Sequence, residues 1–364
     1  MTSATQRFNK KLIRFIIILV YGAVCGVGTS WAEEDRVTFV FSQQIISPTM
    51  VYAFIAKDQG YWKSEGLDVE FYFSKGSANT LQLLASRKAD IGQSNEIQLM
   101  LARHKGLHLK SVMTLKREFG SQLGVLANSP IKSIEQLKGK NIGVAHLSAA
   151  QVPFAKAMLT TGGLDPSKDA RIVAVGWGPQ ALAALLKDRV AAVSYWNEQF
   201  LKWEIAGHKF RYFPSDFFPN DVPGYNFVAH EDFIQNREDV LVGLLRGIAK
   251  GIVFSFTNPE AAVKIYYKAN PTKKPVGESA AERMKSDVDF VKGVLKFWSL
   301  HNRKIKKWGA NYKPGWEAVR DFYLKQGVLK EKRNVEEYYV SQGITDRIND
   351  FDSEAVVKAA RDYK

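Results

Sequence analysis

A short apolar strand that ends in large polar and aromatic side chains calls for an explanation beyond packing. Val190-Ala191-Ala192-Val193-Ser194 reads as such a strand, and it runs directly into Tyr195-Trp196-Asn197-Glu198. Stacking on Tyr195 or Trp196, with the Glu198 carboxylate accepting from ring amines, is how a protein holds an aminated heterocycle. The competing reading packs Trp196 beneath the next helix and leaves Glu198 in that helix's first turn, where its charge suits the dipole. Trp177, between Gly176 and Gly178, follows another strand end, and Tyr225 follows Pro223-Gly224 where the chain should change direction. In an open α/β sheet, ligands sit beyond the carboxyl ends of strands, near helix N-termini. That rule selects four further loops, at 43–49, 75–79, 93–96 and 146–151. Their candidate contacts are Gln43, Gln44 and Thr49; Gly76 and Ser77; Ser94 and Asn95; and His146 and Ser148. Each has a plainer reading too: Ser77 or Asn79 caps a helix starting near Thr80, and Ser94-Asn95 satisfies a turn.

Hydrolytic and metal chemistry find no support. Of six histidines, His104 and His108 are four apart, but Gly106 ends the helix between them and breaks the face a zinc pair needs. His146 is the one histidine in a selected loop, where a polar contact suits it better than a metal. The single cysteine, Cys25, excludes a disulfide scaffold and thiolate zinc sites. There is no Gly-x-Ser-x-Gly elbow, P-loop or dinucleotide glycine fingerprint. The expectation is a binder without catalytic residues, metal or cofactor.

Composition narrows the class further. A chain of 364 residues, 46% hydrophobic and 24% charged, is too long for one core and too apolar for disorder, so two domains are expected. A formal charge of +14 raises nucleic acid as a partner. The basic residues are spread along the chain, however, and the cluster at 303–307 between Trp298 and Trp308 reads as a solvated helix face, so no nucleic acid is expected. Arg7, Lys10, Lys11 and Arg14 precede an apolar run at 15–24 and then Ser30-Trp31-Ala32. This is the pattern of a secretory signal cleaved near Ala32, placing the mature protein outside the cytoplasm. The run is too short for a span and is broken by Gly22, Gly26 and Gly28. A retained N-terminal anchor is the alternative. Loss of Cys25 with the signal would suit an oxidising compartment.

The elements that must position these side chains alternate. Strands are predicted at 36–41, 67–73, 89–92 and 109–114, with helices at 50–60, 81–87 and 97–105. This rhythm calls for a parallel sheet with helices on both faces. After Asn128-Ser129-Pro130 it restarts: strands at 141–145, 171–175 and 190–194, helices at 150–160 and 179–187. Beyond His230 the pattern is helical, at 240–256, 259–268, 280–298, 316–326 and 353–363. Counting chain crossings puts a first lobe at 36–120 plus 230–364 and a second at 125–224, with crossings near 120–125 and 224–230.

The segment from Pro48-Thr49-Met50-Val51-Tyr52 through Asp58-Gln59-Gly60-Tyr61-Trp62 to Glu65-Gly66-Leu67-Asp68-Val69-Glu70 resembles the opening of the SsuA/Thi5-like (NMT1) solute-binding proteins. Gly76-Ser77, Ala89-Asp90-Ile91-Gly92, Ile134 to Val144 and Gly163-Leu164-Asp165-Pro166 continue the resemblance in order, over about 37–270. It implies an α/β, two-lobed periplasmic-binding-protein (type II) fold, with an extra helical C-terminal segment. It also implies a monomer that closes on a small-molecule solute and serves an ABC importer's permease and ATPase. Pyrimidine-synthesising relatives carry a cysteine-rich motif that the mature chain would lack. Tyr195-Trp196 with Glu198 favours a flat, amine-bearing ring such as a thiamine-precursor pyrimidine. Ser77, Ser148 and Lys116-Arg117 would instead suit a sulfonate or other small oxyanion. A secreted enzyme on the same fold is the remaining alternative.

Overall fold

The computed structural model describes residues 34–214, 221–301 and 306–364. The expected signal at 1–32 and most of the basic cluster 303–307 therefore lie outside the described residues. β1 (Asp35–Phe41) buries Val37, Phe39 and Phe41 on one face, the period-two pattern of a strand over a core. It pairs in parallel with β2 (Leu67–Phe73) and with β3 (Ile91–Ser94). Helices α1 (Val51–Asp58), α2 (Ser77–Ala85) and α3 (Glu96–His104) connect the strands, and β4 (Leu109–Lys116) follows α3.

A second sheet then begins with β5 (Ser121–Leu126). β6 (Asn141–Val144), α4 (Gln151–Thr161), β7 (Arg171–Ala174), α5 (Pro179–Leu186), β8 (Ala192–Trp196), α6 (Asn197–Ile205) and β9 (Phe210–Tyr212) complete it. β10 (Tyr225–His230) returns to the first sheet. The strand orders are β2-β1-β3-β10-β4 and β7-β6-β8-β5-β9. Both sheets are mixed, which corrects the expectation of parallel sheets. β10 runs antiparallel between β3 and β4, and β5 antiparallel between β8 and β9. The sequence reading left β5, β9 and β10 unassigned; in each sheet the antiparallel insertion belongs to the strand that has just arrived from the other lobe.

The two crossings run back to back. A Cβ on Gly224 would lie 1.8 Å from the Glu118 carbonyl oxygen, and one on Gly120 would lie 3.1 Å from the Gly224 carbonyl oxygen. Only glycine lets two backbones approach this closely. Beneath them, Phe119 packs on Phe154 with ring centroids 5.0 Å apart, inside an apolar cluster that draws side chains from both lobes.

The remaining helices are α7 (Glu231–Asn236), α8 (Glu238–Thr257), α9 (Pro259–Ala269), α10 (Ala280–Trp298), α11 (Lys313–Lys325), α12 (Gln342–Ile348) and α13 (Ser353–Asp362). α8 is long and apolar enough to cross a membrane, but Leu241, Leu244, Leu245, Ile248 and Ile252 are buried in the core where it packs on α1. α9 packs on α1, α12 and α13 on α8, and α11 on α3. α10 differs from its neighbours: besides α9 and β4 it touches α6 of the second sheet's layer. The sequence layout had assigned all of 230–364 to the first lobe.

Candidate functional site

The carboxyl ends of β1, β3 and β4 face those of β6 and β8 across a cavity of about 700 Å³, its open mouth included. From the first lobe come Ser42, Gln43 and Thr49 after β1, Gly76 and Ser77 opening α2, and Gln93 and Asn95 at the end of β3. Tyr52, Lys116 and Tyr225 form the floor on that side, with Trp298 at the end of α10. The second lobe contributes Ala149, Ala150 and Gln151 at the start of α4, then Trp177, Trp196 and Glu198.

Two indoles, tilted to one another, make an aromatic wall. Trp177 and Trp196 are both half-buried, with ring centroids 5.3 Å apart and planes at 52°. Tyr195 backs Trp196 at 4.9 Å, but its own ring is fully buried and its hydroxyl donates to the Gly176 carbonyl. Position explains the division: Trp196 is the last residue of β8 and stands at the cavity's edge, whereas Tyr195 is covered by Trp196 and by Trp203, whose ring centroid is 5.3 Å away. Trp196 therefore reaches the cavity and Tyr195 does not.

Apart from Lys116, the floor is a chain of neutral hydrogen-bonding groups. The Ser42 and Tyr225 hydroxyls are 2.5 Å apart, Tyr225 donates to Gln93 Oε1 at 3.1 Å, and Gln93 Nε2 donates to the Tyr52 hydroxyl. Burial, the largest cause in each case, pushes both phenols up, so they stay protonated donors. Ser77 donates to Asn95 Oδ1 at 3.3 Å, and Asn95 Nδ2 donates to the Gly224 carbonyl at 3.3 Å, tying the pocket to a crossing segment. On the opposite lobe Gln151 Nε2 donates to the Ser121 hydroxyl at 3.1 Å.

Charge enters this lining at one point. Lys116 Nζ lies 2.7 and 2.8 Å from the two Glu198 oxygens, with side chains 4% and 11% exposed. Lys116 comes from the first lobe and Glu198 from the second, so the pair spans the cleft. Among the lining residues these are the only ionised side chains, and each neutralises the other. Among the described residues no three His, Cys, Asp or Glu side chains are grouped to hold a metal.

The structure thus brings Gln43, Thr49, Gly76, Ser77, Asn95, Trp177, Trp196, Glu198 and Tyr225 to one cavity. Gln44 is exposed and Ser94 is buried, its hydroxyl donating to the Asn95 carbonyl at 3.0 Å; neither lines it. His146 and Ser148 stand beside it. The Ser148 amide donates to His146 Nδ1 at 3.2 Å and the Ser148 hydroxyl to the Lys75 carbonyl at 3.1 Å, a contact between lobes rather than a cavity wall. Sequence reasoning missed Ser42, Tyr52 and Trp298, and it passed over Gln93 and Gln151 within loops it had selected. Strand alternation, applied to β3, would have chosen Gln93 and Asn95 over Ser94. No local signal marks Trp298.

Comparison with known proteins agrees with this architecture. The sequence model of the family described as NMT1/THI5 like matches residues 47–262. The formylaminopyrimidine-binding protein of Halalkalibacterium halodurans is 26% identical over 262 residues, which is 70% of this chain and 77% of that protein. The riboflavin-binding protein RibY of Chloroflexus aurantiacus is 22% identical over 79% of this chain and 80% of its own. The periplasmic aliphatic sulphonate-binding protein SsuA of Escherichia coli superimposes with a TM-score of 0.60 at 14% identity, covering 84% of this chain and 92% of that one. That likeness shows the two-lobed periplasmic-binding-protein fold.

Proposed function

The chain belongs to the NMT1/THI5-like family, and from that membership we propose that it captures a flat, uncharged, amine-bearing heterocycle of the aminopyrimidine kind between its lobes and hands it to an ABC importer. The observation that carries this reading is the indole wall of Trp177 and Trp196 standing over a floor of amides and hydroxyls whose only charges cancel. Trp196 would stack on the ring, Gln43, Gln93 and Asn95 would read its edge, and Glu198 would accept from an exocyclic amine. The relative named for formylaminopyrimidine binding supports the same ligand class. The oxyanion alternative asks an anion to displace the carboxylate that already engages Lys116 through both oxygens.

In this reading the protein acts outside the cytoplasm, its signal removed near Ala32, and delivers solute to a permease driven by an ATPase. Both walls of the cavity come from one chain, so a monomer suffices. No chemistry is performed on the solute. The test is mass spectrometry of small molecules co-purified with the protein, followed by calorimetry with the compound found and recovery of it after release. An aminated ring returned unchanged is the expected result; a sulfonate, or a converted product, would sink the proposal.

A further inference from the structure

The cavity does not end at the indoles. A second chamber of about 1020 Å³, open mouth included, continues outward and shares Gln43, Thr49, Trp177, Trp196 and Glu198 with the first. Past the tryptophans its walls turn apolar: Ile45, Leu182, and Phe290 on α10. Ile45 is 41% exposed and Leu182 half-buried, so water covers aliphatic surface here. Besides the paired Glu198, the charge on its wall is Lys202, whose ammonium lies over the Phe290 ring at 5.6 Å.

Helix α10 runs along both chambers. Trp298 lines the inner one, while Phe290 and Ser286 line the outer. Eight residues of helix separate Trp298 from Phe290, a rise of about 12 Å. The helix is seated closely on the second lobe, because a Cβ on Gly293 would lie 2.5 Å from a Leu201 methyl. Its 280–298 span lies beyond residues 47–262, which match the family model.

We propose that the outer chamber is a second subsite for the same solute, and that the solute carries an uncharged apolar arm, an aryl or short alkyl group, which lies along α10 while its polar ring occupies the inner chamber. The proposal rests on the heterocycle reading for the head and on the shared indole junction for the continuity of the two spaces. Burying such an arm should tighten binding about tenfold or more.

Calorimetry of 4-aminopyrimidine against a panel of its phenylalkyl derivatives, one for each ring carbon that carries no amine, measures the arm directly. The neutral fluorophore N-phenyl-1-naphthylamine measures the outer chamber without any heterocycle. At least one derivative should bind about tenfold tighter than the bare ring, and the dye should brighten on the wild-type protein. Ile45→Asp, at an exposed position, should erase that ratio and weaken the dye about tenfold at an unchanged melting temperature; Leu182→Asp, whose side chain packs partly on the core, should do the same with some loss of melting temperature. A silent dye together with no gain in any derivative overturns the proposal, as does a gain that survives both substitutions. If no pyrimidine binds but the dye does and the variants abolish it, the heterocycle reading falls and the outer subsite stands.

Discussion

Adjacent residues on one strand carry different duties. Trp196 faces the cavity, so Trp196→Ala should weaken solute binding ten- to a hundredfold, about 1–3 kcal/mol, by removing ring burial. Tyr195→Phe removes a buried hydrogen bond to Gly176 and should cost stability of about 1 kcal/mol while leaving affinity within about threefold. Calorimetry and thermal melting of the two variants separate these roles; equal affinity losses would show that the two residues do not divide binding and support in this way. Lys116 and Glu198 act as one unit. Lys116→Met or Glu198→Gln alone strands a nearly buried partner and should destabilise by about 3 kcal/mol, whereas the double variant should cost clearly less than the sum. Additive denaturation midpoints would mean that the pair is not coupled. Glu198→Gln therefore mixes a loss of fold stability with any loss of ligand contact, and its affinity is best read beside the double variant.

At the scale of the element, α3 opens with an unusual residue. Glu96 is 2% exposed and one carboxylate oxygen has no hydrogen-bond partner. Burial pushes its carboxyl from 4.5 up to about 8, against the smaller opposing pull of the helix's first amides and of Lys116. The folded chain thus holds a proton that the unfolded chain gives up near 4.5. Stability from this group is fully present below about pH 4.5 and is lost as pH rises toward 8. Glu96→Gln should flatten that fall and raise the melting temperature near pH 8, with little effect near pH 4.5. Melting curves across this range check it, and an identical pH profile in both proteins would refute it. The position matters because Asn95, the preceding residue, lines the cavity and bonds to the Gly224 crossing.

For the whole molecule, the two crossings act as the axis about which the lobes are joined. Lobe-to-lobe contacts ring the cavity on several sides: Ser148 to Lys75, Glu198 to Lys116, and Asn197 Nδ2 donating to the Glu118 side chain at 3.1 Å. Gly224→Ala would drive a methyl into the Glu118 carbonyl at the axis itself. It should destabilise by about 1–3 kcal/mol and also alter affinity, since the crossing cannot move without moving Asn95. A variant with wild-type melting and wild-type binding would remove the crossings from any part in closure. Helix α10 borders the far side of the cleft, where it meets elements of both lobes.

Periodicity and end signals, which act within a few residues, made most elements legible from sequence. α10 was predicted at 280–298 and is Ala280–Trp298, and loops that line the cavity were legible because strands end where helices must begin. Nine of the fourteen expected contacts share the cavity. What the sequence could not determine depends on distant partners. β5 and β10 take their antiparallel places only once the chain has crossed between lobes. Lys116 meets Glu198 across 82 residues, and β4 had to extend past the predicted Thr114 for it to do so. Trp298 reaches the cavity from the end of a helix far along the chain. Backbone preference is local and is written into each segment, whereas a binding site is a set of contacts between segments. Those contacts exist only after burial of the shared core has brought the segments together.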